Sequence, residues 1–262
     1  MRFPGACIQC PASTRMNSII MAGAQRIERF DFEPGYVIAG KYRVIALLGR
    51  GWEGEVYKIA EVGTGIERAA KLFFPYRNQR NIAARRYAVK LHKLRHCTIL
   101  IKYYTQDVLE FAGQRVTVLV SEFVEGELLE HWIRRQHGRA LPPFEALHLL
   151  HALASGIADI HRAREYHGDL HTENVIVRRH GLGYQIKLID LYPWGAPKHE
   201  NIQGDVCDLV RLFYDALGGA RRYAHHRAEI KSICCGLKHS LILRKFKTAG
   251  QLCDYLENIS WD

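Results

Sequence analysis

The sequence predicts an α+β protein of two lobes, a β-rich lobe with one helix followed by a larger, mainly helical lobe. Short segments that alternate apolar and polar residues run from Val37 to Phe123, as in half-buried strands. After Gly126 the apolar residues recur at helical spacing instead. No run of 18 apolar residues occurs in either part, so no membrane span is expected.

The composition is that of an ordinary globular protein, with 48% hydrophobic and 24% charged residues among 262. This balance excludes disordered, collagen-like and low-complexity proteins. The formal net charge of +10 predicts attraction to phosphate groups or anionic surfaces.

The seven cysteines are odd in number and irregular in spacing, which favours a reducing, cytoplasmic environment over a disulfide framework. Cys7 and Cys10 form a single C-x-x-C pair. A zinc ribbon would need a second pair, so chance spacing is the simpler interpretation.

Three regions are predicted: a weakly ordered extension over residues 1–36, an N-terminal lobe over 37–122 and a C-terminal lobe over 123–262. The first lobe is predicted to hold strands at Val37–Ile38, Tyr42–Leu48, Glu55–Glu61, Arg68–Phe74, Ile99–Phe111 and Gln114–Phe123. Between the fourth and fifth strands, Asn81–Arg95 is predicted to be a helix, because Tyr87, Leu91 and Leu94 share one face.

The second lobe begins with two predicted helices, Leu128–His137 and Phe144–Arg164, the latter started by Pro142-Pro143. A hairpin of Val175–Arg178 and Gln185–Ile189 follows. A helix over Asp205–Leu217 then ends at two glycines, and the remainder is predicted to be helical.

A glycine-rich segment, Gly49-Arg-Gly51-Trp-Glu-Gly54-Glu-Val56, lies between the second and third predicted strands. Glycines let backbone amides approach phosphate oxygens closely, although a plain turn has the same composition. A dinucleotide-binding fingerprint would open a helix, whereas this segment opens a strand. G-x-x-x-x-G-K-[ST] does not occur, so a P-loop is excluded.

Further motifs follow in an order that resembles the protein kinase-like superfamily, in particular its compact, atypical bacterial serine/threonine kinases. The likeness covers roughly residues 37–262. Its landmarks are Arg68-Ala-Ala-Lys71 for V-A-I-K, Ser121–Gly126 for the hinge, His167-Gly-Asp169-Leu-His-Thr-Glu-Asn174 for H-R-D-L-x-x-x-N, Asp190 for the Asp of D-F-G, and Asp205–Phe213 for the helix that anchors the catalytic loop.

The resemblance implies a bilobal kinase fold and a phosphotransferase that uses ATP and Mg²⁺. It implies that Lys71 holds the α- and β-phosphates, that Asp169 accepts or orients the proton of the attacking hydroxyl, and that Asn174 and Asp190 bind the metal. Asp169, Lys71 and Asn174 are the implied catalytic residues. The implied ATP-binding residues are Gly49, Gly51, Gly54, Val56, Ala69, Lys71, Glu122 and Val124.

The implied acceptor is a protein serine or threonine. Two alternatives stay open at this stage: a kinase for a small molecule or a lipopolysaccharide sugar, and a nucleotide-binding scaffold without catalysis.

The largest departure from the family pattern is an absent acid. Protein kinases place a Glu on the first-lobe helix to pair with the strand Lys, and that position falls at Tyr87 or Ala88. No Asp or Glu occurs from Leu72 through Gln106. We therefore expect Glu53, Glu55 or Asp190 to orient Lys71.

Other departures concern the catalytic loop and the segment that follows it. Gly168 replaces the Arg of H-R-D, so switching by loop phosphorylation is not expected. Only 15 positions separate Asp190 from Asp205, and Tyr192 replaces the Gly of D-F-G, which should stiffen this loop. His167 is expected to be a structural core residue.

The same acid-free window is rich in Lys and Arg. A solvated helix face is the simplest interpretation of Arg77–Arg95, and a docking surface for an acidic partner is the alternative. Nucleic-acid binding is not indicated, because no RNA-binding signature accompanies the charge.

Overall fold

The computed structural model describes residues 26–181 and 183–260. The predicted α+β architecture is confirmed, with a β-sheet lobe followed by a helical lobe. Cys7 and Cys10 lie outside the described residues, as does most of the predicted N-terminal extension.

The N-terminal lobe is built on a six-stranded antiparallel sheet with strand order β1-β2-β3-β4-β6-β5. Its strands are β1 (Val37–Ile38), β2 (Tyr42–Arg50), β3 (Gly54–Glu61), β4 (Glu67–Phe73), β5 (Tyr103–Phe111) and β6 (Gln114–Glu122). Helix α1 (Ile82–Lys93) connects β4 to β5. Lys71 on β4 pairs with Val56 on β3 and with Leu119 on β6, so it stands in the middle of the sheet.

The segment before β1 differs from the prediction of a weakly ordered extension. Ile27, Phe30 and Phe32 are all buried in the sheet's hydrophobic cluster. Phe30 stacks on Phe74 with ring centroids 5.4 Å apart, and Phe32 stacks on Tyr36 at 4.1 Å. Residues 26–36 therefore belong to the folded lobe, because their aromatic side chains fill one face of its sheet.

The C-terminal lobe carries a three-stranded sheet and most of the helices. The sheet comprises β7 (Glu127–Leu128), β8 (Val175–His180) and β9 (Gly183–Leu188). The helices are α2 (Leu129–Arg135), α3 (Pro143–Arg162), α4 (His199–Ala216), α5 (Ala220–Tyr223), α6 (Ala228–Cys234), α7 (His239–Lys245) and α8 (Ala249–Glu257). None of the helices in residues 26–181 and 183–260 combines the length and the apolar character needed to cross a membrane.

Helix α3 begins as the sequence predicts, since proline is suited to a first helical position that needs no amide donor. Its predicted apolar stripe is buried: Leu149, Leu153, Ile157 and Ile160 are each at most 2% exposed. Helix α4 starts six residues before the predicted Asp205, because its first turn is polar and carries no apolar periodicity.

The hydrophobic core does not divide at the boundary between the lobes. The inner face of α1, including Tyr87 and Leu91, belongs to the same buried cluster as α3 and α4. Leu91 and Leu191 are both 2% exposed within it. Helix α1 is thus packed against the second lobe, which fixes its position relative to the residues that face the cleft.

Candidate active site

A cavity of about 620 Å³ lies between the lobes, a volume suited to a nucleotide-sized ligand. The predicted ATP-binding residues that line it are Gly49, Gly51, Val56, Ala69, Lys71, Glu122 and Val124, together with Asn174 and Asp190. Gly54 and Asp169 line a neighbouring cavity of about 280 Å³, which shares Lys71, Asn174 and Asp190 with the first. All of the predicted site residues therefore face one connected cleft.

The glycine-rich loop between β2 and β3 closes as a tight turn. The Gly51 amide donates to the Gly54 carbonyl at 2.9 Å, and the Phe74 amide donates to the Glu53 carbonyl at 2.9 Å. A Cβ on Gly54 would lie 1.8 Å from the backbone oxygen of Leu72, so only glycine allows the loop to approach β4 this closely.

Lys71 is held by two carboxylates. Its Nζ lies 2.7 Å from Oδ1 of Asp190 and 3.0 Å from Oε2 of Glu53, with the side chain only 13% exposed. Burial alone would lower the pKa of Lys71, but the charges of Asp190 and Glu53 outweigh it and raise the pKa above its ordinary value. Lys71 therefore remains a cation in the cleft.

Two of the three residues expected to orient Lys71 contact it, and the third has another role. Glu55 is 0% exposed and lies on the face of β3 opposite to Val56, which lines the cleft. Its carboxylate accepts hydrogen bonds from Arg50 Nε at 2.7 Å, from the Tyr57 hydroxyl and, at 3.4 Å, from the Asp31 amide. Glu55 thus anchors the glycine-rich loop to the segment before β1.

Tyr87 of α1 is one of the two positions, with Ala88, at which the family's acid was expected. It is 3% exposed, its hydroxyl accepts the Asp190 amide at 3.2 Å, and its ring centroid lies 5.1 Å from Lys71 Nζ. Burial, together with the charge of Asp190, raises the pKa of Tyr87 above its ordinary value. The hydroxyl is therefore neutral, and α1 reaches the cleft through a hydrogen bond rather than an ion pair.

The catalytic loop, residues 167–174, rests on Asp205 of α4, which is 0% exposed. The two oxygens of Asp205 accept the amides of His167 and Gly168, both at 2.7 Å, and His161 Nε2 lies 3.0 Å away. Asn174 then fixes Asp169, because its Nδ2 donates to the Asp169 backbone oxygen at 2.8 Å and to Oδ2 at 3.0 Å. Asp169 keeps 55% of its side chain exposed toward the cleft.

His167 is fully buried in this loop, as predicted for a structural residue. Its Nδ1 accepts the Asp169 amide at 3.3 Å, and Nε2 lies 3.1 Å from the Ile189 carbonyl, to which the neutral Nε2–H tautomer donates. Burial lowers the pKa of His167 to about 4. The neutral ring joins the catalytic loop to Ile189, which lies between the end of β9 and Asp190.

Gly168 has a structural reason to replace the Arg of the family motif. Its φ is +82°, and a Cβ would lie 2.6 Å from the Tyr166 ring and 2.9 Å from Cβ of Tyr192. The loop conformation therefore excludes a side chain at this position.

Much of the basic character of α1 is used within the molecule. Lys90 is 8% exposed; its Nζ donates to the Tyr192 carbonyl at 2.7 Å and lies 3.9 Å from the Tyr166 ring centroid. Burial lowers the pKa of Lys90 to about 8. Lys93 Nζ contacts Glu165 at 2.6 Å, and the Arg86 guanidinium lies 4.6 Å from the Trp194 ring centroid. These side chains join α1 to the second lobe.

The residues of the cleft fit a magnesium ion and a polyphosphate. Asp190 offers carboxylate oxygens, and Asn174 offers Oδ1 because its Nδ2 is committed to Asp169. A carboxylate and an amide oxygen are suitable ligands for a hard cation. Lys71 and the amides of the glycine-rich loop are donors of the kind that phosphate oxygens accept.

Sequence reasoning missed the roles of four residues near this site: Asp31, Glu55, Tyr87 and Lys90. Glu55 carries a signal, since it shares a strand face with Tyr57 and Ile59, both buried, which predicts a buried carboxylate with a specific partner. Tyr87 was assigned to a buried helix face, but nothing local indicates that its hydroxyl bonds to a residue 103 positions away.

The chain is similar to known protein kinases. The model of the protein kinase domain matches residues 42–205. The serine/threonine-protein kinase pkn2 of Myxococcus xanthus is 35% identical over 159 residues, which cover 59% of this chain and 18% of that protein. PrkC of Bacillus subtilis is 29% identical over 159 residues, covering 60% and 23%. The chain thus spans about a fifth of the length of these relatives.

Among solved structures, the kinase domain of Mycobacterium tuberculosis PknI, crystallised as a double mutant, is similar with a TM-score of 0.64. Sequence identity is 18%, and the match covers 87% of this chain and 98% of that one. This similarity supports the fold.

Proposed function

The chain belongs to the protein kinase family, and from this premise we propose that it transfers the γ-phosphoryl group of ATP to a serine or threonine hydroxyl of a protein. The observation that carries the proposal is the convergence of Lys71, Asp169, Asn174 and Asp190 on one cleft beneath the glycine-rich loop. The names of the relatives support a protein acceptor, since both are serine/threonine-protein kinases.

In the proposed reaction the acceptor oxygen forms a bond to the γ-phosphorus while the bond from that phosphorus to the β,γ-bridging oxygen breaks. The Asp169 carboxylate orients the hydroxyl and takes its proton. The leaving ADP keeps the bridging oxygen's electron pair, and Lys71 balances part of the phosphate charge.

Asp190 and Asn174 are the residues proposed to hold Mg²⁺. When bound, this ion supplies positive charge against the phosphate oxygens. The role of this chain's own residues is to keep those ligands in place: Asn174 bonds to Asp169, and Asp190 bonds to Lys71. Adenine is proposed to bind the backbone of Glu122 and Val124, which line the larger cavity.

The test is transfer of labelled γ-phosphate from Mg-ATP to casein and to the protein itself, comparing the wild type with Asp169→Asn. This variant keeps size and polarity but removes the carboxylate, and we expect a loss of roughly 100-fold or more. Asp215→Asn is the matched control, because Asp215 is an exposed residue of α4 paired with Arg211.

Acid hydrolysis of the labelled product then identifies the acceptor residue. Phosphoserine or phosphothreonine supports the proposal, and phosphotyrosine alone contradicts its acceptor class. If the wild type transfers no phosphate while Mg-ATP still raises its melting temperature, the chain binds nucleotide without catalysis, and the proposal is wrong.

A further inference from the structure

The cleft contains a contact that the family pattern does not supply, between α1 and the backbone of the proposed metal ligand. We propose that Tyr87 is a positioning residue: its hydroxyl fixes the Asp190 amide and thereby transmits the position of α1 to the Asp190 carboxylate. This inference rests on the proposed function, in which Asp190 is a magnesium ligand. It concerns how the site is held rather than which groups react.

The geometry of Asp190 explains why such a contact matters. Asp190 has a φ of +53°, a left-handed conformation that costs free energy in a non-glycine residue. Its neighbours are fixed from the second lobe: the Ile189 amide donates to the Asn174 carbonyl at 3.0 Å, and the Tyr192 amide donates to the His167 carbonyl at 2.9 Å. The Asp190 amide is instead fixed from α1, by Tyr87 at 3.2 Å.

Tyr87 also contacts the other charged member of the site. Its ring centroid lies 5.1 Å from Lys71 Nζ, and that nitrogen lies 2.7 Å from Asp190 Oδ1. A cation is attracted to the face of an aromatic ring at this distance. One side chain of α1 therefore touches both partners of the Lys71–Asp190 ion pair, and α1 offers no acid that could do so.

The position of α1 is itself defined by the second lobe, through Lys90, Lys93 and the apolar face of the helix. A displacement of the helix would move the Tyr87 hydroxyl away from the Asp190 amide. The hydroxyl is thus the point at which the packing of α1 reaches the cleft.

Tyr87→Phe tests this inference, because it removes the hydroxyl and keeps the ring that packs in the core. The first readout is hydrogen exchange of the 189–192 segment by mass spectrometry, which needs neither nucleotide nor metal. We expect about three- to tenfold faster exchange of the Asp190 amide, as for the loss of one hydrogen bond. Tyr184→Phe is the matched control, since it removes a hydroxyl bonded to Glu145 in the second lobe.

The second readout is the magnesium dependence of stabilisation by ATP, measured as the rise in melting temperature against free Mg²⁺. We expect Tyr87→Phe to need about three- to tenfold more Mg²⁺ for a half-maximal rise, with stabilisation by ATP in EDTA unchanged. A residue that only fills the core would alter neither readout.

Unchanged exchange at Asp190 in Tyr87→Phe would overturn the inference, whatever happens to activity. Faster exchange with an unchanged magnesium dependence would overturn the claim that fixing the Asp190 amide positions the Asp190 carboxylate. Failure of the proposed function can be told apart from failure of this inference. Hydrogen exchange at the Asp190 amide can be measured even in a protein that transfers no phosphate.

Discussion

Two buried carboxylates hold the two loops that face each other across the cleft, and their partners differ in kind. Asp205 supports the catalytic loop by accepting two main-chain amides, those of His167 and Gly168. Glu55 supports the glycine-rich loop mainly through side chains, Arg50 and Tyr57. Both carboxylates are 0% exposed.

This difference shows that the anchor of the glycine-rich loop depends on the loop's own side chains more than the Asp205 anchor of the catalytic loop does. Amides are present whatever side chains the catalytic loop carries, so its two hydrogen bonds to Asp205 do not depend on those side chains. The anchorage of the glycine-rich loop is shared among several side chains, and it extends to the segment before β1. There the Phe32 amide donates to the Tyr57 hydroxyl at 3.1 Å, and Asp31 pairs with Arg50.

The largest effect is expected when the main-chain anchor is broken. Asp205→Asn replaces one of the two acceptor oxygens with an NH₂ group, which leaves one of the two amides facing a donor instead of an acceptor. We expect a loss of about 2–4 kcal/mol in the free energy of unfolding, measured by urea denaturation. Phosphate transfer should fall with it, because the amides of His167 and Gly168 precede Asp169. Asp215→Asn again serves as the exposed control.

An effect of intermediate size is expected from acid, which should destabilise the catalytic loop before the glycine-rich loop. Burial lowers the pKa of His167 to about 4, so the folded protein binds fewer protons there than the unfolded chain does. Stability is therefore unaffected well above the ordinary histidine pKa and is lost as the pH falls from about 6.5 toward 4. Protonation of Nδ1 would also remove the bond from the Asp169 amide.

The measurement is the free energy of unfolding at pH 7 and pH 5, for the wild type and for His167→Asn. The contribution of His167 should be on the order of 2 kcal/mol over this interval, and the variant should lack it. Hydrogen exchange should show that residues 167–174 loosen before residues 49–54. Parallel loosening of both loops would contradict the distinction drawn between their anchors.

A smaller effect is expected at the side-chain anchor. Glu55→Gln keeps an acceptor oxygen but loses the charge that pairs with Arg50, and we expect a loss of about 1–2 kcal/mol in the free energy of unfolding. The KM for ATP should rise more than kcat falls, because the loop is proposed to contact the nucleotide rather than the acceptor. Asp31→Asn is the graded control: it removes only the exposed partner of Arg50, and its effect should be smaller still.

If Glu55→Gln costs as much as Asp205→Asn, the two anchors are equivalent and the comparison fails. If Asp31→Asn raises the KM for ATP as much as Glu55→Gln does, the segment before β1 is as important to the loop as the buried carboxylate.

Much of the fold could be predicted because local patterns carried it. Helix α3 followed from its proline start and its stripe of Leu149, Leu153 and Ile157, and the strands of the first lobe followed from alternation. Where an apolar run is buried on several sides, periodicity does not show whether the run belongs to a strand. Residues 99–102 were predicted to extend β5, but Leu100 instead forms a bridge with Leu188 of the second lobe.

For the candidate site, too, one part could be predicted from the sequence and another part could not. The motif spacing brought Lys71, Asp169, Asn174 and Asp190 into consideration, and the structure gathers them around one cleft. The burial of Ile27, Phe30 and Phe32 was missed, because the alternation over Phe30–Glu33 is too short to predict an ordered segment. These side chains are buried by contact with sheet residues far along the chain.

The sequence by itself determined the order of the elements, the glycine-rich loop, the catalytic motif and the absence of any acid on α1. Only the tertiary structure decided what stands in for that acid: Glu53 and Asp190 hold Lys71, and Tyr87 holds the Asp190 backbone. The physical reason is distance along the chain. Lys71 and Asp190 are 119 positions apart, so their contact depends on how two lobes pack and not on any local pattern.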